Sequence, residues 1–305
     1  LATDQINIFC KGRGCNPSDD ERTQFAQSNA KAAKLAIAAS SFTRAQYYID
    51  TGLQLLENQH WESHYCLTLD LFEMSASVNF INGNISKMSS CLDEILSHCR
   101  AFDDSLKASS LLVKLMMSLS KFEEAMSNCR VILSNLGVVF PVNVSLPVGL
   151  REMMGMQTML SNITKDQITS LPPMTNKDKI AAMKFLNMLC KCSSISRPLM
   201  LPLLSSRMVK LTMEYGFCAD SIVGLATAGY SIFLYTEEIQ LAKNIRKVSE
   251  SLVEESPMKH VLRSRLCNEL FATLKMIKEP WQSSHPIFLD LYDSAMLSGD
   301  IENAM

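Results

Sequence analysis

A six-residue phrase recurs along this chain and constrains its fold more than any other feature. A turn residue is followed two positions later by an apolar residue, and three positions after that by a small or apolar one. It occurs at 40–45 (SSFTRA), 83–88 (GNISKM), 120–125 (SKFEEA), 237–242 (EEIQLA) and 299–304 (GDIENA). Over 119–137 the phrase opens a full amphipathic helix. Phe122, Ala125, Met126, Cys129, Ile132, Leu133 and Leu136 fall on one helical stripe. Ser120 with Glu123 predicts a capping box at its start, and Gly137 a left-handed stop at its end. Tetratricopeptide-like repeats open their second helices in this way, with a small residue where the two helices of a hairpin approach. The chain therefore predicts an all-α fold of antiparallel helical hairpins stacked as an irregular tetratricopeptide-like α-solenoid, with helix over roughly 70–80% of its residues, well above the globular average. Steps of 43 residues from Ala45 to Met88 and 37 from Met88 to Ala125 exceed the roughly 34 of ordinary tetratricopeptide repeats.

Composition agrees with packed helices. Of 305 residues 47% are hydrophobic and 20% charged, which places the chain among globular proteins. Glycine and proline number only 11 and 10, whereas methionine reaches 19. A net charge of −2 leaves no basic excess for phosphates, so nucleic acid is not expected as a partner. No apolar run reaches the roughly 18 residues of a membrane span. Ten scattered cysteines, most on apolar helix faces, read as reduced thiols, with most of Cys66, Cys91, Cys99, Cys129 and Cys267 expected to react slowly. The reading is cytoplasmic.

Two proline-bearing stretches divide the pattern. Pro141 and Pro147 forbid helix through 138–147, and Pro172 with Pro173 breaks 170–176, where Thr175 and Asp178 resemble a capping box. Residues 1–137 are read as a first set of hairpins, 138–176 as a proline-interrupted link with one helix, and 177–305 as a second set. One long helix is expected over 61–82. Leu1 without a methionine and a stop at Met305 suggest a segment of a longer protein.

Candidate chemistry is sparse. His60 and His64 stand at i,i+4, a spacing that can hold zinc, but a zincin places Glu directly after the first His and here that residue is Trp61. Cys10 and Cys15 flank two glycines without the Lys-Ser/Thr of a phosphate loop, and Cys190-Lys-Cys192 lacks redox spacing. No nucleophile elbow is present. No catalytic residue, cofactor or metal is assigned. Tyr47, Tyr48, Trp61 and Tyr65, with Phe72 and Phe80, form an aromatic group over the first two hairpins. At helical spacing such rings are more often core than peptide groove; the first four are named as the candidate interaction surface.

A family resemblance runs through the chain in order. Its words are Ala32-Ala33-Lys34, Ala45-Gln46-Tyr47-Tyr48, 51–56 (TGLQLL), Trp61, 65–73 (YCLTLDLFE), Asn82-Gly83-Asn84, Leu136-Gly137-Val138 with Phe140-Pro141, and 171–175 (LPPMT). They continue through 180–183 (IAAM), Met208-Val209, Tyr215-Gly216, Trp281 and 298–304 (SGDIENA). With these the chain resembles the helical region that follows the P-loop ATPase module in very large signalling proteins, the multi-sensor hybrids of serine/threonine and histidine kinases. The resemblance implies a non-catalytic repeat scaffold, a cytoplasmic setting, and as partner either the adjacent ATPase, sensor or kinase domains or another protein. Neither the ATPase's phosphate loop nor a kinase catalytic loop lies in these residues, so no catalytic residue carries over. The alternative is a free-standing peptide-binding adaptor of the tetratricopeptide type. A helical metal- or cofactor-dependent enzyme is the third reading.

Overall fold

The computed structural model describes residues 18–56, 60–141, 144–236, 238–256 and 285–298, together with Thr3, Asp4, Asn7, Lys259, Leu262, Arg263 and Gln282. The phrase at 299–304, the Cys10–Cys15 loop, Cys267 and Trp281 lie outside these residues. Helix accounts for 84% of the described residues and no strand occurs among them. The fold is all-α, built of helical hairpins packed in consecutive pairs, an irregular tetratricopeptide-like α-solenoid.

The recurring phrase encodes the turn as well as the helix. Its first residue adopts a left-handed conformation, with φ 54° at Ser40, 70° at Gly83 and 58° at Ser120. Each forms a Schellman turn: Ser41 N donates to Ala36 O at 2.8 Å, Asn84 N to Asn79 O at 2.8 Å, and Lys121 N to Met116 O at 2.8 Å. Gly137 closes the next helix in the same way, with φ 73° and Val138 N on Leu133 O at 2.7 Å. The second residue is the N-cap, with nearly one geometry at Ser41 (φ −92°, ψ 68°), Asn84 (−87°, 74°), Lys121 (−86°, 56°) and Glu238 (−75°, 65°). The sixth residue donates back to the N-cap carbonyl in all four, and Ala45, Met88, Ala125 and Ala242 are all fully buried. The predicted capping box at Ser120 and Glu123 does not form. Ser120 belongs to the turn, so Lys121 is the N-cap and makes no side-chain cap. Because a left-handed β-carbon costs about 1–2 kcal/mol, partly offset by glycine's greater chain entropy, Ser120→Gly is expected to stabilise the fold by about 0.5–1 kcal/mol. Thermal melting of the two forms checks this.

The described chain forms two compact units, Leu1–Leu115 and Met116–Met305. The first holds α1 (Asp19–Ala38), α2 (Phe42–Leu55), α3 (His60–Ser63), α4 (Tyr65–Ile81), α5 (Ile85–His98) and most of α6 (Phe102–Ser118). Ser18 and Glu21 form a reciprocal capping box at the start of α1. The hairpins α1–α2 and α4–α5 stack through α2 and α4. One core cluster joins α1, α2 and α4 around Ile49, Leu71 and Val78; a second joins α3 to α6 around Trp61, Met88, Leu92 and Ile95. Asn7, ahead of α1, and Asn29 within it exchange amide hydrogen bonds of 2.8 and 2.9 Å while fully buried, so each satisfies the other. The long helix expected over 61–82 breaks at His64 (φ −132°, ψ 39°) into α3 and α4.

The second unit holds α7 (Phe122–Asn135), α8 (Leu146–Leu160), α9 (Lys165–Thr169), α10 (Lys177–Ser196), a 3-10 turn (Pro198–Met200), α11 (Leu201–Tyr215), α12 (Ala219–Thr236), α13 (Ile239–Glu255) and α14 (His285–Ser298). Residues 138–176 thus carry two helices, and their Met153, Met156, Leu160 and Ile168 are fully buried in the core shared with α11, α12 and α13. α7 packs against α10, α8 against α11, and α10 to α13 follow one another as packed neighbours. Asn176, one residue beyond the expected Thr175, caps α10 by accepting from Lys179 N. Thr164 and Gln167 form a capping box on α9. The loop before α10 is tied to the α11–α12 turn: Phe217 N donates to Pro172 O and Met174 N to Phe217 O, both at 2.8 Å.

Candidate functional site

Among the described residues, aromatic and polar side chains gather in the first unit around Trp61. The short α3 delivers this indole against α4 and α5, leaving it only 8% exposed. Its ring stacks on His98 at 4.9 Å with planes within 1°, and on Phe72 at 5.5 Å and 14°. Its Nε1 donates to Glu94 Oε1 at 2.7 Å. Buried tryptophan takes such a partner because an unpaired N–H in an apolar wall is costly. Tyr65 meets the indole at 5.9 Å and donates its hydroxyl to Asp104 Oδ2 at 2.6 Å. Burial and this carboxylate push the Tyr65 phenol up. Arg100 closes the outer side. Its guanidinium sits 4.3 Å above the Tyr65 ring, its Nη2 donates to Trp61 O at 2.8 Å, and its backbone N donates to the Tyr65 hydroxyl at 3.0 Å.

Of the four aromatic residues named from sequence, Tyr48 belongs to the core of α1, α2 and α4, Trp61 and Tyr65 to that of α3 to α6, and Tyr47 to neither. Tyr47 and Tyr48 lie 5.6 Å apart on α2. Tyr48 is buried and donates to Asp4 Oδ1 at 2.7 Å, which holds the Asp4 carboxyl below its usual range, helped by Arg44. Tyr47, 37% exposed, presents the most surface of the four, and Tyr65 is half-buried. Glu94, His98, Arg100 and Asp104 were not singled out by the sequence. The one local signal was the i,i+4 placement of Glu94 and His98, whose carboxylate and Nδ1 lie 3.6 Å apart.

The break at His64 separates the two histidines. His60 turns inward, 5.9 Å from both Trp61 and Phe72, with Nδ1 buried and lacking a hydrogen-bond partner. His64 points to a cleft of about 170 Å³ lined by Asp19, Arg22, Thr23, Leu55, Leu56 and Ser63, where its Nε2 lies 3.4 Å from Thr23 Oγ1. No group of three or more His, Cys, Asp or Glu side chains is placed to hold a metal among the described residues. In the second unit, Gln157, Thr158, Ser161, Glu238, Gln240, Leu241 and Asn244 line an open groove of about 570 Å³ between α8 and α13.

Seven cysteines are described and all are free thiols. Cys91, Cys129, Cys190 and Cys192 are buried, as an apolar face requires. Burial pushes Cys129 up strongly and Cys192 to about 11. Cys66, expected on an apolar face, is instead exposed, because the core face of α4 runs through Thr68, Leu71, Met74, Ser75 and Val78. At mildly alkaline pH the thiolate fraction of Cys192 is reduced by about two orders of magnitude relative to an ordinary thiol. Maleimide labelling of the native protein, read by peptide mass, should therefore modify Cys66 at least about a hundredfold faster than Cys129 or Cys192.

No family model, curated protein or solved structure matches the chain.

Proposed function

We propose that this chain is a non-catalytic helical-repeat scaffold segment of a large cytoplasmic signalling ATPase or kinase, acting through protein contact and coupling between domains. The observation that supports this reading is the reuse of one turn-and-helix unit. Four N-caps share nearly one geometry, and a fully buried residue follows each at the same place. Construction by repetition spreads side chains over an extended surface rather than converging them on one reacting centre. The partner is a neighbouring ATPase, sensor or kinase domain of the same protein.

The test is excision of residues 1–305 from the parent protein, with ATPase or kinase activity assayed with and without stimulus. The expected result is a folded, active catalytic domain that no longer responds. Normal regulation after clean excision would reject the coupling role. ATP hydrolysis by the isolated 305-residue chain would reject the non-catalytic one.

A further inference from the structure

Buried polar side chains are normally partnered, so each orphan calls for a physical account. His60 Nδ1 is buried without a partner, in a four-residue helix whose His60 ring lies 5.9 Å from the Trp61 indole. The neutral ring fits this place. It packs against Trp61 and Phe72, and the residue's carbonyl accepts from Thr68 Oγ1 at 3.1 Å. A protonated ring carries a proton on both nitrogens, so the buried Nδ1 would hold an N–H with no acceptor.

We propose that α3 is an acid-released latch: protonation of His60 frees the His60–Ser63 turn and uncovers Trp61 with the face of α4 and α5 beneath it. Charged and titratable groups surround the latch on several elements. On α5, Glu94 attracts a proton toward His60, but it is already engaged by Trp61 Nε1 and lies beside His98, whose own charge opposes a second one nearby. After α5, Arg100 holds the carbonyls of Trp61 and Glu62 and adds positive charge on the outer side. α4 contributes the Phe72 ring, and the Asp104 carboxylate of α6 is taken by Tyr65. On α1, Asp19 and Arg22 line the cleft of His64, and Glu62 belongs to α3 itself and is exposed.

Burial dominates and holds the His60 imidazole below its ordinary 6.5. Linkage gives the sign. The closed latch binds fewer protons than the open one, so closure is fully favoured above about 6.5 and weakens as pH falls below it. The hairpin α4–α5 does not depend on this titration. Its turn is a backbone Schellman motif, so release is local.

The chain has two tryptophans, so Trp281→Phe makes Trp61 the single reporter. In that full-length protein, titration from about pH 8 to about pH 5 should move the emission maximum to the red while helical circular dichroism holds. Acrylamide quenching should rise about twofold or more. His60→Phe keeps an aromatic ring without a titratable nitrogen and should abolish both changes. His98→Gln removes the ring stacked on the indole, an intensity change, and should leave the red shift in place. A pH-independent emission maximum and quenching constant in the single-tryptophan parent would overturn the latch, whether or not the variants fold. So would an unchanged red shift in His60→Phe, or loss of helix in step with the shift.

Discussion

Gly216→Ala is expected to destabilise the second unit by at least about 3 kcal/mol, read as a fall in the urea or thermal midpoint. Two costs combine. The glycine has φ 101° and ψ −174°, a region that residues with a β-carbon essentially do not enter and that costs about 1–3 kcal/mol when forced. An added β-carbon would also lie 2.3 Å from Pro172 O. That carbonyl cannot retreat freely, because it accepts from Phe217 N while Met174 N bonds Phe217 O. The variant must give up either the glycine's backbone conformation or this pair of hydrogen bonds. Gly83→Ala provides the contrast. Its φ of 70° carries backbone strain, but nothing lies within 4 Å of the added carbon, so about 1–2 kcal/mol is expected. Equal losses at the two glycines would mean that the 172–174 loop does not dock as described.

Trp61→Ala should cost about 3–5 kcal/mol in the first unit, the usual range for removing a large buried aromatic. The indole links α3, α4 and α5 through two stacked rings and one hydrogen bond, so its loss leaves a cavity and strips Glu94 of its donor. Trp61→Phe retains a ring in the stack and loses the N–H, and should cost less, about 1–2 kcal/mol. A urea midpoint unchanged by Trp61→Ala would remove the indole from the core.

Local pattern in a sequence reports only what is set within one element. Helical stripes were legible for that reason; of the stripe over 122–136, Phe122 is half-buried and Ala125, Met126, Cys129, Ile132, Leu133 and Leu136 are all buried, as their apolar spacing required. The Gly137 stop was legible because glycine so often fills the left-handed position. Ser120 in the same role was not. Serine at a helix start usually serves as the capping oxygen, and a left-handed serine is uncommon. The break at His64 was hidden for another reason. The residues around it all tolerate helix, and the interruption accompanies the burial of Trp61 against partners elsewhere in the chain. Glu94 is 33 residues from Trp61, and Asp104 is 39 from Tyr65. No periodicity reports such pairs. The orphaned nitrogen of His60 is likewise a property of its surroundings, invisible in a histidine read by spacing alone.

The Schellman turns at Ser40, Gly83 and Ser120 have a consequence for how this chain can change length. Each turn hands the backbone from one helix to the next through a left-handed residue and an N-cap, with no slack in between. An α-helix turns about 100° per residue. One inserted residue ahead of Ala45, Met88 or Ala125 would rotate the following helix by that angle, and residues now fully buried would swing toward solvent. Deleting one residue would rotate it the other way. Insertions and deletions are therefore excluded from the very places where a loop would ordinarily absorb them, and the phase between successive helices is locked by two residues of backbone.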